Sequence, residues 1–151
     1  MWCGRMSSGT DDRWVVLAAW GFGARFIALT FFISFASISS QVLALVGKRG
    51  VTPVRDVLAR AKEDFPSLRD RLCLFPTVLW WTGSSDFSLL GVVGLGMLSS
   101  AALFVGCAGS TFGSMALMLT SQVCLLSLDV GLDLSYPWDC LLYEAGWLAL
   151  F

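Results

Sequence analysis

The sequence predicts an all-α protein, a multi-pass bundle of transmembrane helices with an amphipathic helix in its first loop. Of its 151 residues, 56% are hydrophobic and 14% are charged, whereas soluble proteins average about 45 to 50% apolar residues. Three apolar stretches, at residues 14–47, 87–107 and 111–128, are long enough to cross a hydrocarbon core of about 30 Å. Their only charged residue is Arg25.

Charge is distributed unevenly along the chain. All 10 Lys and Arg residues lie at or before Arg71, and the later, more apolar half carries only acids. These acids are Asp86, Asp129, Asp133, Asp139 and Glu144. A carboxylate in such a segment is costly unless it meets a partner, so each one is a candidate functional residue. The chain has no His, and its 5 Cys show no metal-binding spacing. We therefore expect no metal, no cofactor and no nucleic-acid surface.

The N-terminal region is expected to contain a disordered tail, residues 1–13, followed by one membrane domain, residues 14–151. The first apolar run exceeds the length that one bilayer requires. We therefore place the first span near residues 24–46, with Arg25 reaching the interface and residues 14–24 forming a helical lead-in. A cleaved signal peptide is the competing interpretation. Asp11, Asp12 and the length of the run disfavour it.

The loop at residues 48–74 combines seven basic and four acidic residues. Apolar residues recur there at helical spacing, after Thr52 as a candidate N-cap and Pro53 as the first helical residue. They are Val54, Val57, Leu58, Ala61 and Phe65. This pattern predicts an amphipathic helix that ends before Pro66. The helix either lies on the membrane surface or caps the bundle, and both interpretations stay open.

The second and third apolar stretches predict a transmembrane hairpin, with spans at residues 87–107 and 111–132. Small residues in the first arm, Gly91, Gly94 and Gly96 among them, permit close packing of helices. Asp86 precedes this arm, where we expect it to cap the helix. Asp129, at the far end of the hairpin, is expected to meet interfacial water.

The closing segment, residues 138–151, is too short to cross a bilayer and predicts a truncated fourth span, so the chain is expected to be a fragment. On a helix, Asp139 and Glu144 point about 140° apart and cannot form one paired-carboxylate site. We expect Glu144 to lie deeper than Asp139, held by a hydrogen bond to a neighbouring helix that Gly146 allows to approach. A structural contact is favoured over a proton relay.

Four motifs occur in the order found in a known family. They are Gln41 with Gly47, Gly50 and Pro53; Pro76, Thr77 and Trp80 followed by Asp86; Gly106 with Cys107; and Trp138, Asp139, Glu144 and Gly146. Together, over about residues 14–151, they resemble the N-terminal membrane region of the lipase maturation factor family. The last motif is the most specific, because its acids and glycine are unlikely to coincide by chance in an apolar run.

The resemblance implies a non-enzymatic, multi-pass protein of the endoplasmic reticulum membrane that assists the folding and assembly of secreted lipases. Its partners would be the lipid bilayer and those lipase clients. Family members continue beyond this length, through further spans and a large C-terminal region. The family's membrane portion also resembles vitamin K-dependent carboxylase membrane domains. The alternative is therefore a membrane enzyme or transporter that uses Glu144 and Asp139 in proton or ion transfer, but the absence of His disfavours it.

Orientation in the membrane stays open, because two arguments disagree. The basic loop at residues 48–74 favours the cytoplasmic side under the positive-inside rule, whereas the resemblance implies a luminal loop. The sequence leaves the oligomeric state open as well.

Overall fold

The computed structural model describes residues 9–107, 110–129, 132 and 139–150, and for residues 9–12 only the backbone. All regular elements in these ranges are helices, which confirms the all-α prediction. They are α1 (Gly9–Val46), α2 (Val54–Asp64), α3 (Leu68–Leu74), α4 (Leu79–Thr82), α5 (Asp86–Val105), α6 (Thr111–Asp129) and α7 (Asp139–Leu148).

Three of the described helices are long and apolar enough to cross a membrane, which is the number that the sequence predicted. The qualifying stretches are Arg13–Val46, Asp86–Val105 and Thr111–Asp129. The described part of the third span ends at Asp129, and residues 130 and 131 of the predicted span lie outside the described residues. The chain is therefore a membrane protein with a helical transmembrane domain.

Helix α1 begins earlier than the sequence pattern suggested. It starts at Gly9, so residues 9–13, which we expected to be disordered, are helical. Residues 1–8 of the predicted tail lie outside the described residues.

The first two spans run antiparallel, and contacts at both ends define their alignment. At one end the Lys48 backbone N–H donates to Asp86 Oδ1 at 2.9 Å. At the other end the Arg25 guanidinium lies over Gly106, where α5 stops. Gly106 adopts a left-handed conformation, with φ of 80°, which suits a residue without a Cβ. Helix α6 then returns beside α5.

Between these ends, α1 and α5 approach closely at a single glycine. A Cβ added to Gly96 would overlap the ring of Phe35, which is fully buried. The prediction that small residues permit close packing of helices therefore holds for Gly96. It does not hold for Gly91 or Gly94, because an added Cβ there would meet no atom within 4 Å.

The predicted amphipathic helix is present as α2, and it caps the bundle. Val54 is buried and Leu58 packs against the same core cluster. Thr52 is not the N-cap, because the cap position falls on Pro53 and has no side-chain hydrogen bond. Pro53 is extended, with ψ of 128°, and the Thr52 backbone N–H bonds to the Leu45 carbonyl. Helical geometry can therefore start only at Val54.

Candidate functional site: polar contacts between the helices

Asp139 is the deepest carboxylate that the structure describes in the closing segment. It is 2% exposed, and its Oδ1 accepts a hydrogen bond of 2.7 Å from the Ser34 hydroxyl on α1. At 1.5 Å per residue, Ser34 lies about 14 Å along α1 from Arg25 and about 18 Å from Val46. The contact therefore lies near the middle of the first span, where a carboxylate requires a partner.

Glu144 lies on the opposite side of α7, so our prediction that it is the deeper acid is wrong. Its side chain is exposed, and none of the residues in the described ranges bonds to it. The buried face of α7 carries Asp139, Leu142 and Gly146, at spacings that place them on one side of a helix. Helical spacing alone showed that Asp139 and Glu144 lie on different faces of α7. It did not show which of these faces packs against the bundle.

Gln122 on α6 is a second buried polar residue, and sequence reasoning missed it. It is 1% exposed, and its Nε2 donates to the Tyr143 carbonyl of α7 at 2.9 Å. Its Oε1 has no hydrogen-bond partner in the described part of the chain. The signal that could have found it is a lone amide within the uncharged stretch 111–128.

Gly146 allows the close approach that we predicted, but the neighbour is Gln122. A Cβ added at Gly146 would overlap Gln122 Oε1 and would lie 3.2 Å from Phe31 Cζ. The absence of a side chain at this position therefore sets the distance between α6 and α7. The predicted partnership between Gly146 and a bonded Glu144 is not found.

Tyr143 connects these contacts to the end of α6. Its hydroxyl is buried and has no hydrogen-bond partner among the described residues, but it interacts electrostatically with the carboxylates of Asp129 and Asp139. Asp129 is therefore more than an interfacial acid, because it faces α7. We call Ser34, Gln122, Asp129, Asp139 and Tyr143 the polar cluster. It joins α1, α6 and α7.

Thr77 connects the loop after α3 to α6. It is 3% exposed, and its hydroxyl donates to the Ser127 carbonyl at 2.9 Å. The Ser127 hydroxyl accepts from the backbone N–H of Val78 at 3.0 Å. Because each residue bonds the backbone of the other segment, this pair fixes the loop against the end of the third span.

Trp80 stabilises the same loop from its outer side. Its indole N–H donates to the Phe75 carbonyl at 2.9 Å, and the Arg71 guanidinium lies 5.9 Å from its ring centroid. Pro76 is exposed between them. The Thr and Trp of the predicted Pro-Thr-x-x-Trp motif therefore hold the loop in place, Thr77 against α6 and Trp80 against the Phe75 carbonyl.

Asp86 does not cap α5, which corrects our expectation. The N-cap is Ser85, whose hydroxyl accepts from the Ser88 backbone N–H at 3.1 Å. Asp86 lies in the first helical turn and bonds the Lys48 backbone instead. Its carboxylate therefore joins the end of the first span to the start of the second.

The first motif forms the turn after α1, as predicted. The Gly50 N–H donates to the Gly47 carbonyl at 2.9 Å, and a Cβ at either glycine would overlap α1 backbone. Gln41 is half-buried one turn earlier. Pro53 follows the turn and precedes α2.

The remaining predicted residues are Cys107 and Trp138. Cys107 is exposed, and its backbone N–H donates to the Ala102 carbonyl, which closes the turn after α5. Trp138 lies outside the described residues. Within the described ranges, no group of three or more His, Cys, Asp or Glu side chains could hold a metal ion.

Comparisons with known proteins match most of this chain. A family model described as the lipase maturation factor transmembrane domain matches residues 21–151. Lipase maturation factor 1 of Bos taurus is 33% identical over 135 residues, covering 84% of this chain and 23% of the relative. The protein of the same name from Mus musculus is 32% identical over 135 residues, covering 84% and 22%. That from Homo sapiens is 33% identical over 136 residues, covering 83% and 22%. The chain thus spans less than a quarter of these relatives, and no solved structure matches it.

Proposed function

This chain belongs to the lipase maturation factor family through its transmembrane domain, and from that premise we propose that it is the membrane core of a non-enzymatic maturation factor. Its clients would be secreted lipases, and its location would be the endoplasmic reticulum membrane. The family match covers residues 21–151, which contain α2 to α7 and most of α1. The curated relatives carry lipase maturation in their names.

The observation that best supports the proposal is that the two acids of the closing motif have different surroundings. Asp139 bonds the Ser34 hydroxyl inside the bundle, while Glu144 is exposed on the other face of α7. One acid therefore supports the packing of the helices, and the other is available to a neighbouring surface. The alternative of proton or ion transfer by both acids would require them in one site, and their separation argues against it.

Exchange of the corresponding segment in a relative would test the proposal. We would replace the matching membrane segment of the Bos taurus relative with residues 14–151 of this chain. The chimera would be expressed in cells that lack their own factor, together with a secreted lipase. We expect active lipase in the medium at a level comparable to that supported by the unmodified relative. The measurement is lipase activity per amount of secreted antigen.

Two matched variants of the chimera separate folding from function. Gly146→Leu should lower both the amount of chimera and the secreted activity, because it forces α7 away from Gln122. Gly94→Leu places the same side chain at a position where an added Cβ would meet no atom within 4 Å, and this variant should retain both. A chimera that accumulates normally in the membrane yet supports no lipase activity would contradict the proposed function.

A further inference from the structure

A pocket of about 420 Å³ lies where α5 ends and α6 begins, beside the outer part of α1. Its polar lining comes from residues on three segments, and its walls include apolar side chains such as Leu17 and Leu103. The residues that matter chemically are Trp20, Arg25, Gly106, Ser110, Thr111 and Ser114. None of the lining residues in the described part of the chain is a carboxylate.

Arg25 supplies the charge of this pocket. It is the only charged residue in the apolar run 14–47, and no described residue forms a salt bridge with it. The guanidinium lies over Gly106, 2.9 Å from the position that a Cβ would occupy. Because Gly106 has no Cβ, the guanidinium is accommodated at the C-terminal end of α5, where the helix dipole favours a cation. The cation therefore lies beside the pocket and is exposed to a ligand.

The opposite wall of the pocket presents hydroxyl groups at the start of α6. Ser110 accepts from the Gly113 backbone N–H at 3.1 Å, and Ser114 donates to the Ser110 carbonyl at 3.2 Å. Thr111 is the first residue of α6 and is exposed. Hydroxyl donors and the positive end of a helix dipole both favour an anion.

We propose that this pocket binds the phosphate group of a membrane phospholipid. The Arg25 guanidinium would hold two phosphate oxygens, since its fork of N–H groups matches that geometry. The hydroxyls of Ser110 and Thr111, which donate to no described residue, would donate to the remaining oxygens. The pocket lies at the level where two spans end, which is where lipid headgroups lie. Its apolar walls suit the first part of an acyl chain. This site is independent of the lipase role proposed above.

Titration of the detergent-purified full chain with a soluble lipid tests the site. The ligand is dihexanoyl phosphatidic acid below its micellar concentration, and the readouts are its apparent Kd and the temperature of thermal aggregation. Dihexanoyl glycerol supplies the same chains without phosphate, and inorganic phosphate supplies the anion without chains. We expect stabilisation by the phosphatidic acid and little by the other two.

Substitutions at Arg25 identify the residue responsible. Arg25→Gln should weaken binding about tenfold or more, because it removes charge-assisted hydrogen bonds. Arg69→Gln removes an equally exposed cation on α3 and should leave the apparent Kd unchanged. If Arg25→Gln fails to fold, Arg25→Lys is tested instead. Lysine keeps the charge but lacks the paired N–H donors of the guanidinium, so we expect the apparent Kd to rise several-fold.

Three results would overturn the proposal. Equal protection by inorganic phosphate would indicate a free-anion site, and equal protection by dihexanoyl glycerol would indicate a chain-binding groove. An unchanged Kd in a folded Arg25→Gln or Arg25→Lys variant would exclude Arg25 as the phosphate ligand.

Discussion

The Ser34 hydroxyl of α1 donates a hydrogen bond of 2.7 Å to Asp139 Oδ1 of α7, across 105 positions of sequence. This contact joins the first span to the last helix at about mid-depth of the bundle. It also gives the acid of the family motif a partner that no local pattern reveals.

Removal of the Ser34 hydroxyl should destabilise the bundle by about 0.6 to 2 kcal/mol, the range found for polar contacts between membrane helices. We would measure thermal unfolding in detergent for Ser34→Ala, Asp139→Ala and the double variant. The double-mutant cycle should give a coupling energy of about 0.5 kcal/mol or more. Ser37→Ala, an exposed serine on the same helix, is the control. Strictly additive effects of the two changes would show that the hydrogen bond contributes nothing.

Gly146→Ala should cost about 1 to 3 kcal/mol, because its new Cβ overlaps Gln122 Oε1. The same change at Gly94, where no atom lies within 4 Å of the added Cβ, should be neutral or slightly stabilising through helix propensity. Gln122→Ala removes the overlapping amide, so Gly146→Ala should cost less in that background. The free energy of unfolding would be measured by thermal unfolding in detergent for Gly146→Ala, Gly94→Ala, Gln122→Ala and the double variant Gln122→Ala/Gly146→Ala, each compared with the native chain. Equal losses at Gly94 and Gly146 would contradict the close approach.

Thr77→Val should loosen the loop after α3 by about 1 to 3 kcal/mol, because the Ser127 carbonyl loses the buried hydroxyl that donates to it. Thr82→Val is the matched control, since the Thr82 side chain is exposed and bonds only within its own turn at 3.4 Å. Limited proteolysis of the loop, compared with global thermal unfolding, would locate the effect. Equal protease resistance of the native chain and Thr77→Val would argue against the proposed attachment.

Glu144→Gln should change stability by no more than about 0.5 kcal/mol, because the side chain lies on the exposed face of α7. Asp139→Ala is the comparison on the buried face and should be clearly destabilising. Both proteins would be followed by thermal aggregation in detergent. A loss for Glu144→Gln that matches the loss for Asp139→Ala would restore our original assignment of the buried acid.

The spans could be predicted from the sequence because their determinants are local. Length and apolar composition fixed the three membrane helices, and the change of periodicity after Pro53 identified α2. Helix α5 ends at Val105, two residues before the predicted end of the second span, because Gly106 adopts the positive φ that glycine permits. These features depend on neighbours within a few residues, so one sequence contains enough information for them.

The polar cluster could not be predicted in the same way, because it depends on how α7 is rotated against α1 and α6. Asp139 and Glu144 are both acids in an apolar helix, and helical spacing shows only that they face apart. Which acid is buried depends on contacts made by residues of three separate helices. Ser34 of α1 bonds Asp139, and Gln122 of α6 packs against Gly146 of α7. Gln122 in particular has no pairing signal in its own segment.

The contacts of Lys48 with Asp86 and of Arg25 with Gly106 have a consequence for membrane thickness. The stretch of α1 between these two ends, residues 26–46, is about 32 Å long at 1.5 Å per residue. A bilayer with a hydrocarbon core of about 27 Å is several ångströms thinner than that. Sliding of α1 past α5 to relieve the mismatch would break the Lys48–Asp86 hydrogen bond and the close packing of Gly96 against Phe35. The pair should therefore tilt as one rod, and the angle of that tilt should follow the thickness of the membrane that contains it.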